Sequence, residues 1–234
     1  MKKIILTIAF IALSVSCTDD ITGLNQDTKN PTTTKAEFLF TNAQKAIVDQ
    51  MVSTSVNINV YRLFVQHWTE TTYPDESQYD ITTRSIPANT YGALYRDGLK
   101  DLKEAQSLLN AEAPIATTDI AILNNKKAIV DIMMVYAYNV LVDTFGDVPY
   151  SEALQGAKNA NPKYDRQEDI YKGMIAALTK AAASFDASAI KGDLIYAGDV
   201  ASWKRAANSM RMLMSLQLSK RFPAAGGYAA SEFS

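Results

Sequence analysis

Apolar side chains along this chain recur at steps of three and four residues, the period of an amphipathic α-helix. The clearest stretch is "AIVDIMMVYAYNVLVD", residues 128–143, which is apolar nearly all round. A helix of that kind has to be surrounded by other helices, so it belongs at the centre of a fold. No alternating apolar–polar pattern of useful length, which a half-buried β-strand would require, occurs in the sequence. The sequence therefore predicts an all-α protein.

The helical pattern extends to both sides of this central run. A first stretch reaches from Ala36 to about Val65, and polar residues 53–59 should break it into two helices. The later helices begin at candidate N-caps, which are Asn89, Asp119, Asp165 and Asp199. We predict two helix hairpins of the tetratricopeptide type, Asn89 to Thr144 and Asp165 to Arg221, joined by a long connector.

Composition excludes several classes of function. The formal net charge is -2, so no basic surface for nucleic acid is expected. His67 is the only histidine and Cys17 the only cysteine. A Cys/His zinc site, an internal disulfide and an ordinary nucleophile–histidine pair are therefore not predicted, and His67 without a partner is not assigned a catalytic role.

The N-terminus has the pattern of an export signal. Two lysines precede an apolar run from Ile4 to Val15 that is too short for a permanent membrane span. The run ends in small residues directly before Cys17, which resembles a bacterial lipoprotein signal, although Ser14 stands where such signals usually have Leu. We expect residues 1–16 to be the signal and Cys17 to carry the lipid; an ordinary signal with a chance cysteine is the alternative. The acidic stretch after Cys17 resembles the surface-export signal of some Gram-negative lipoproteins, which implies a lipid-anchored protein on the outer face of the outer membrane.

The rest of the chain divides by composition. Residues 17–35 are rich in Thr, Asn and Asp and are predicted to be a tether. Residues 36–222 form the predicted helical domain, and residues 223–234, which contain Pro223 and two glycines, are predicted to be a linker or an interrupted C-terminus.

One long loop carries the candidate ligand-binding residues. The stretch "HWTETTYPDESQYDITTRSIP" has no helical stripe, and it contains Trp68, Tyr73 and Tyr79. Long ordered loops are often functional, and exposed aromatic faces suit sugar rings or peptides. The alternative is that these rings only pin the loop to the helices.

The segment "DTFGDVPYSEAL" ends the central helix and contains Asp143, Asp147 and Glu152. These acids could bind a metal or serve as an acid/base pair, but they lack the spacing of a calcium loop and a nearby nucleophile. We favour a structural interpretation, in which Gly146 adopts a left-handed C-cap and Pro149 prevents the helix from continuing. No catalytic residue, metal or cofactor is predicted.

Three segments together resemble one known family. In order, "DTFGDVPYSEAL", "PKYDRQEDIYKGMIAAL" and "DLIYAGDVASWKRAANSMRM" follow the lipoprotein-like signal. This combination resembles the SusD/RagB family of outer-membrane nutrient-binding lipoproteins, with Asp143, Gly146, Asp147, Pro149 and Tyr150 as signature positions. The resemblance implies a non-enzymatic protein with tetratricopeptide-like hairpins, which binds oligosaccharides, or peptides in some branches, and passes them to a SusC-like TonB-dependent transporter.

The resemblance also leaves alternatives. Members of this family are longer, and the resemblance implies that this chain is an N-terminal portion. The ligand-contacting aromatics of the family follow no fixed motif, so Trp68, Tyr73 and Tyr79 are candidates by position only. A helical scaffold that contacts the transporter without binding a ligand is a second hypothesis, and a hydrolase that uses Asp143, Asp147 or Glu152 is a third.

Overall fold

In a computed structural model of the chain, the described residues are Lys29, 33–186 and 191–233. The predicted signal, the lipidation site Cys17 and most of the tether lie outside these residues. The helices in the described part are α1 (Ala36–Val52), α2 (Tyr61–Phe64), α3 (Ile86–Gly92), α4 (Lys100–Ala111), α5 (Thr117–Phe145), α6 (Gln167–Ser184), α7 (Val200–Leu218) and α8 (Tyr228–Phe233). A π-helical segment, Ala93–Leu99, joins α3 to α4, and two 3-10 turns lie at Glu76–Gln78 and Gly156–Lys158.

The all-α prediction is confirmed. Among the described residues, the only β-type pairing is one isolated bridge between Val148 and Asp165. Consecutive helices pack against each other: α4 on α5, α5 on α6, and α6 on α7. Five residues connect α4 to α5, which is the short loop of a helix hairpin.

The apolar helix predicted to be central forms the middle of the core. Buried side chains on α5 point in several directions, and they include Ile129, Ile132, Val135, Tyr138 and Leu141. By length and composition α5 could also span a bilayer. Buried core helices pass the same test, and α5 lies between α4 and α6.

Gly98 allows α1 to approach the π-helical segment closely. Gly98 is buried, and a Cβ at this position would lie 2.6 Å from Cγ1 of Ile47 on α1. Real Cβ contacts are longer than this, so the packing depends on a residue without a side chain.

Helix starts agree with the sequence prediction in one case and differ in others. The carboxylate of Asp199 accepts hydrogen bonds from the N–H groups of Ala201 and Ser202, so it caps α7 as predicted. Asn89 is not an N-cap, because α3 begins three residues earlier, at Ile86, with Pro87 in its first turn. Asp165 is not the cap of α6 either, since that helix begins at Gln167 after Arg166.

The C-terminal stretch contains structure that its composition did not predict. Residues 228–233 form α8, which packs on α7, and Ala229 is buried. On α7, the apolar side chain of Leu213 is 54% exposed.

Candidate functional site

The loop between α2 and α3, residues 65–85, presents the candidate aromatic residues to solvent. Trp68 is 47% exposed, Tyr73 73% and Tyr79 58%. Tyr73 and Tyr79 both have positive φ angles, 57° and 65°, which is uncommon for residues with large side chains. Together Trp68, Tyr73 and Tyr79 are named the aromatic surface below.

Two of these rings are held from one side by residues of α2. The guanidinium carbon of Arg62 lies 4.5 Å from the ring centroid of Trp68. The ring of Tyr79 stacks on Phe64 with centroids 5.7 Å apart, and its hydroxyl donates a 3.1 Å hydrogen bond to the carbonyl of Phe64. Each ring is therefore oriented and still substantially exposed, an arrangement that suits stacking on a ligand.

Arg84 anchors the loop from beneath, a role that the sequence did not indicate. Its Nη1 donates to Oδ1 of Asn57 at 2.7 Å, and its Nη2 donates to the carbonyl of Tyr73 at 3.4 Å. Its Nε lies 3.3 Å from Oε1 of Glu76, which is fully buried. Arg84 thus ties three parts of the chain together below the aromatic surface.

His67 lies in the same loop and is exposed. Its side chain makes no hydrogen bond to any other residue that the structure describes, so no oriented acid/base pair is formed there. Catalysis by His67 has no geometric support.

The three acids of the segment "DTFGDVPYSEAL" each have a separate structural partner. Asp143 accepts hydrogen bonds from the hydroxyl of Tyr171 and from Asn139, the latter at 3.0 Å. Oδ1 of Asp147 accepts a 2.8 Å bond from the backbone N–H of Gln167, the first residue of α6.

The third acid, Glu152, forms an ion pair with Lys163 at 3.5 Å. Within the described part of the chain, no group of three or more His, Cys, Asp or Glu side chains could hold a metal ion. The acids hold helix ends and turns, and they do not converge on a common point.

The signature positions of this segment fix the turn between α5 and α6. Gly146 has φ 77° and ψ -120°, so its φ is positive as expected, but its ψ lies outside the left-handed helical region that we predicted. The carbonyl of Pro149 accepts a hydrogen bond from the hydroxyl of Tyr95, and Tyr150 packs edge-on against Tyr138 with centroids 4.8 Å apart. Asp165 accepts bonds from the N–H groups of Tyr150 and Ser151, at 3.0 and 2.7 Å.

A separate apolar groove of about 890 Å³ lies between α1, α5, α7 and the loop before α7. Its lining includes Tyr136, Leu194, Tyr196, Arg205 and Met210. Exposed apolar side chains continue from it along α7, at Met212, Leu213 and Leu216. The groove was not predicted from the sequence.

The chain is similar to a family of known proteins and to several solved structures. A family model of SusD-like proteins, described as "Starch-binding associating with outer membrane", matches residues 28–233. A structure titled "chitin-binding protein" is 26% identical, with a TM-score of 0.68, over 85% of this chain and 42% of its own. A Bacteroidetes SusD-like structure is 25% identical, with a TM-score of 0.65, over 86% of this chain and 36% of its own.

A chitin-binding SusD homologue from Flavobacterium johnsoniae shares the fold, with a TM-score of 0.60 at 21% identity, over 83% of this chain and 41% of its own. No curated protein matches the sequence. The chain spans less than half the length of each of these three structures. The family model covers all of the described residues and the fold agrees, so the chain belongs to the SusD-like family.

Proposed function

We propose that this protein binds oligosaccharides through Trp68, Tyr73 and Tyr79 and passes them to a SusC-like TonB-dependent transporter. The observation that carries the proposal is the exposure of these three rings, between 47% and 73%, on one loop of a SusD-like fold. The printed descriptions of the family and of two similar structures concern starch and chitin, which supports a glycan as the ligand.

The chemistry of the aromatic surface suits a sugar chain. Pyranose rings present C–H groups that pack on the electron-rich faces of aromatic side chains, and the exposed rings lose little conformational entropy on binding. Arg62 lies against the ring of Trp68, and its guanidinium can donate hydrogen bonds to sugar hydroxyls. We propose binding without hydrolysis, because His67 forms no hydrogen-bonded acid/base pair with a described residue and Glu76 is buried away from solvent.

Location and anchoring are further parts of the proposal. The family associates with the outer membrane. We propose that lipidated Cys17 anchors the chain there and that the folded part faces the outside of the cell, on the evidence of the N-terminal sequence alone.

Affinity electrophoresis against a panel of polysaccharides tests ligand binding directly. Gels that contain soluble starch, glycol chitin or xylan should retard the wild-type protein in at least one case. Trp68→Ala and Tyr73→Ala should each weaken that retardation, because each removes a stacking face worth about 1 kcal/mol or more. The matched control is Phe38→Ala, which removes a ring that is 66% exposed on α1, away from the loop.

Two results would contradict the proposal in different ways. Retardation that persists in a Trp68→Ala/Tyr73→Ala double variant would place the binding elsewhere. The apolar groove between α1, α5 and α7 would then be the next candidate. Absence of retardation by any polysaccharide, with retention of the protein on an immobilised SusC-like transporter, would favour the scaffold hypothesis. Binding of a peptide library by the same rings would favour the peptide-binding alternative.

A further inference from the structure

The loop that carries the aromatic surface also contains two acids with buried carboxylate oxygens, Glu70 and Glu76. Glu76 is fully buried, and neither of its carboxylate oxygens accepts a hydrogen bond from a described residue. Oε2 of Glu70 is likewise buried without such a partner. Buried carboxylate oxygens without hydrogen bonds are costly, so this arrangement requires a compensating group.

Arg84 supplies only part of the compensation. Its Nε faces Glu76 at 3.3 Å, while its terminal nitrogens donate to Asn57 and to the carbonyl of Tyr73. One guanidinium therefore faces two carboxyl groups, and one negative charge remains if both are ionised. A metal ion is not supported, because the described residues form no metal-binding group of three or more such side chains.

A single proton can supply the compensation that Arg84 does not provide for these buried oxygens. Protonated Glu70 is placed to donate a hydrogen bond to Glu76, which would satisfy buried oxygens of both residues. Burial of Glu70 and the negative charge of Glu76 raise the pKa of Glu70 above its ordinary value of 4.5. Arg84 and the backbone N–H of Ser77 act in the opposite direction.

Both acids are built into the turn that presents the rings. Glu76 begins the 3-10 turn Glu76–Gln78, which Tyr79 directly follows, and the backbone N–H of Glu70 donates a 2.8 Å bond to Oγ of Ser77 in the same turn. Through Arg84, Glu76 is also connected to the backbone of Tyr73. A change in the charge of this pair therefore acts on the segment that carries two of the three rings.

We propose that Glu70 holds a proton in a hydrogen bond to Glu76, and that this pair positions the aromatic loop so that its order depends on pH. The pair acts through the loop and does not contact the ligand, so Glu70 and Glu76 are positioning residues. The link to ligand binding rests on the proposed function, whereas the proton pair itself does not.

The direction of the pH dependence follows from the bound proton. The folded chain holds a proton on Glu70 at pH values where the unfolded chain has released it, so the folded state binds more protons. The stabilisation is complete below the ordinary pKa of Glu and is lost as pH rises through the raised pKa of the folded state. The loop should therefore become less ordered as pH increases.

The variant Glu70→Gln tests whether the contact between Glu70 and Glu76 depends on a proton or is an ordinary structural contact. Gln has the shape of the neutral acid and donates a hydrogen bond at every pH. We expect the melting temperature of Glu70→Gln to exceed that of the wild type by a margin that grows by a few degrees between about pH 5 and about pH 8. Asp80→Asn, on the exposed part of the same loop, is the control and should show no growing margin.

Two readouts keep the proposal falsifiable if a variant folds poorly. In the wild type, a carbon-detected NMR titration should show one Glu carboxyl that titrates above its ordinary range, and acrylamide quenching of Trp68 should increase over the same range. A margin that stays constant with pH, together with no Glu titrating above its ordinary range, would overturn the proton pair. If the melting temperatures and the Glu titration depend on pH as predicted but the protein binds no polysaccharide, the proposed function is contradicted and the proton pair is not.

Discussion

The indole Nε1 of Trp203 donates a 2.7 Å hydrogen bond to Oδ2 of Asp193, and both residues are buried. The carboxylate of Asp193 also accepts a 2.9 Å bond from Nε2 of Gln44 on α1 and bonds from three backbone N–H groups of its own loop. One carboxylate therefore joins α1, α7 and the loop between residues 191 and 198. It lies next to the apolar groove and sets the position of its wall.

We predict that Asp193→Ala lowers the free energy of unfolding by about 2–4 kcal/mol, because it leaves several buried donors without an acceptor. Trp203→Phe should also destabilise the fold, since it removes one donor and part of a buried ring, and the double variant should cost less than the sum of the two. Urea unfolding followed by circular dichroism measures all three. Asp49→Ala on the exposed face of α1 is the control, and additive effects in the double variant would contradict a direct coupling.

The carboxylate of Asp193 should also make the stability of the fold depend on pH. Burial opposes ionisation of Asp193, but hydrogen bonds from Gln44, Gly198, Trp203 and Ile195 outweigh it and lower its pKa below the ordinary 3.8. Its contribution is therefore present above the ordinary pKa of Asp and is lost as pH falls through the lower pKa of the folded state.

Urea unfolding of the wild type and Asp193→Asn at several pH values measures this effect. The difference in stability should be constant near neutral pH and should shrink below about pH 4. A difference that stays unchanged down to about pH 2 would show that the charge of Asp193 is not responsible.

Asp147 should stabilise α6 through its hydrogen bond to the N–H of Gln167. We expect Asp147→Ala to cost about 1 kcal/mol, and Asp147→Asn to cost less because the amide oxygen can still accept the bond. Thermal unfolding measures both variants, with Glu112→Ala on an exposed connector as the control. Equal losses for Ala and Asn would argue against a capping role.

Local chemistry was predictable from the sequence, and contacts between distant segments were not. The cap by Asp199 involves residues two and three positions away, so it could be predicted from the sequence. Asp147 caps a helix from twenty residues away and Asp165 bonds to Tyr150, so the acid nearest to the start of α6 was the wrong choice. Spacing along the chain carries no information about which turn folds back onto which helix.

In the candidate site too, some features were predictable from the sequence and others were not. A loop rich in aromatic residues was visible because it lacks a helical stripe, and the structure shows Trp68, Tyr73 and Tyr79 exposed on it. The burial of Glu76 next to Glu70 was not predictable, because acids in a polar loop are expected to face water. Only the fold brings Arg84 beneath them.

Gly146 and Gly92 both have space for a Cβ but differ in backbone conformation. Gly146 has φ 77° and ψ -120°, a combination that costs a residue with a side chain about 1–3 kcal/mol, and no heavy atom lies within 4 Å of a Cβ placed there. Gly92 has helical angles, φ -62° and ψ -44°, and its nearest contact would be 3.8 Å away.

Gly146→Ala should therefore lower the melting temperature because of backbone strain alone. Gly92→Ala should leave it unchanged or raise it, because Ala is favoured over Gly inside a helix by about 1 kcal/mol. Differential scanning calorimetry of the two variants tests this contrast under identical conditions. A Gly146→Ala variant that melts with the wild type would show that the turn after α5 can adopt another backbone conformation at no cost, and it would contradict the requirement for glycine at this helix end.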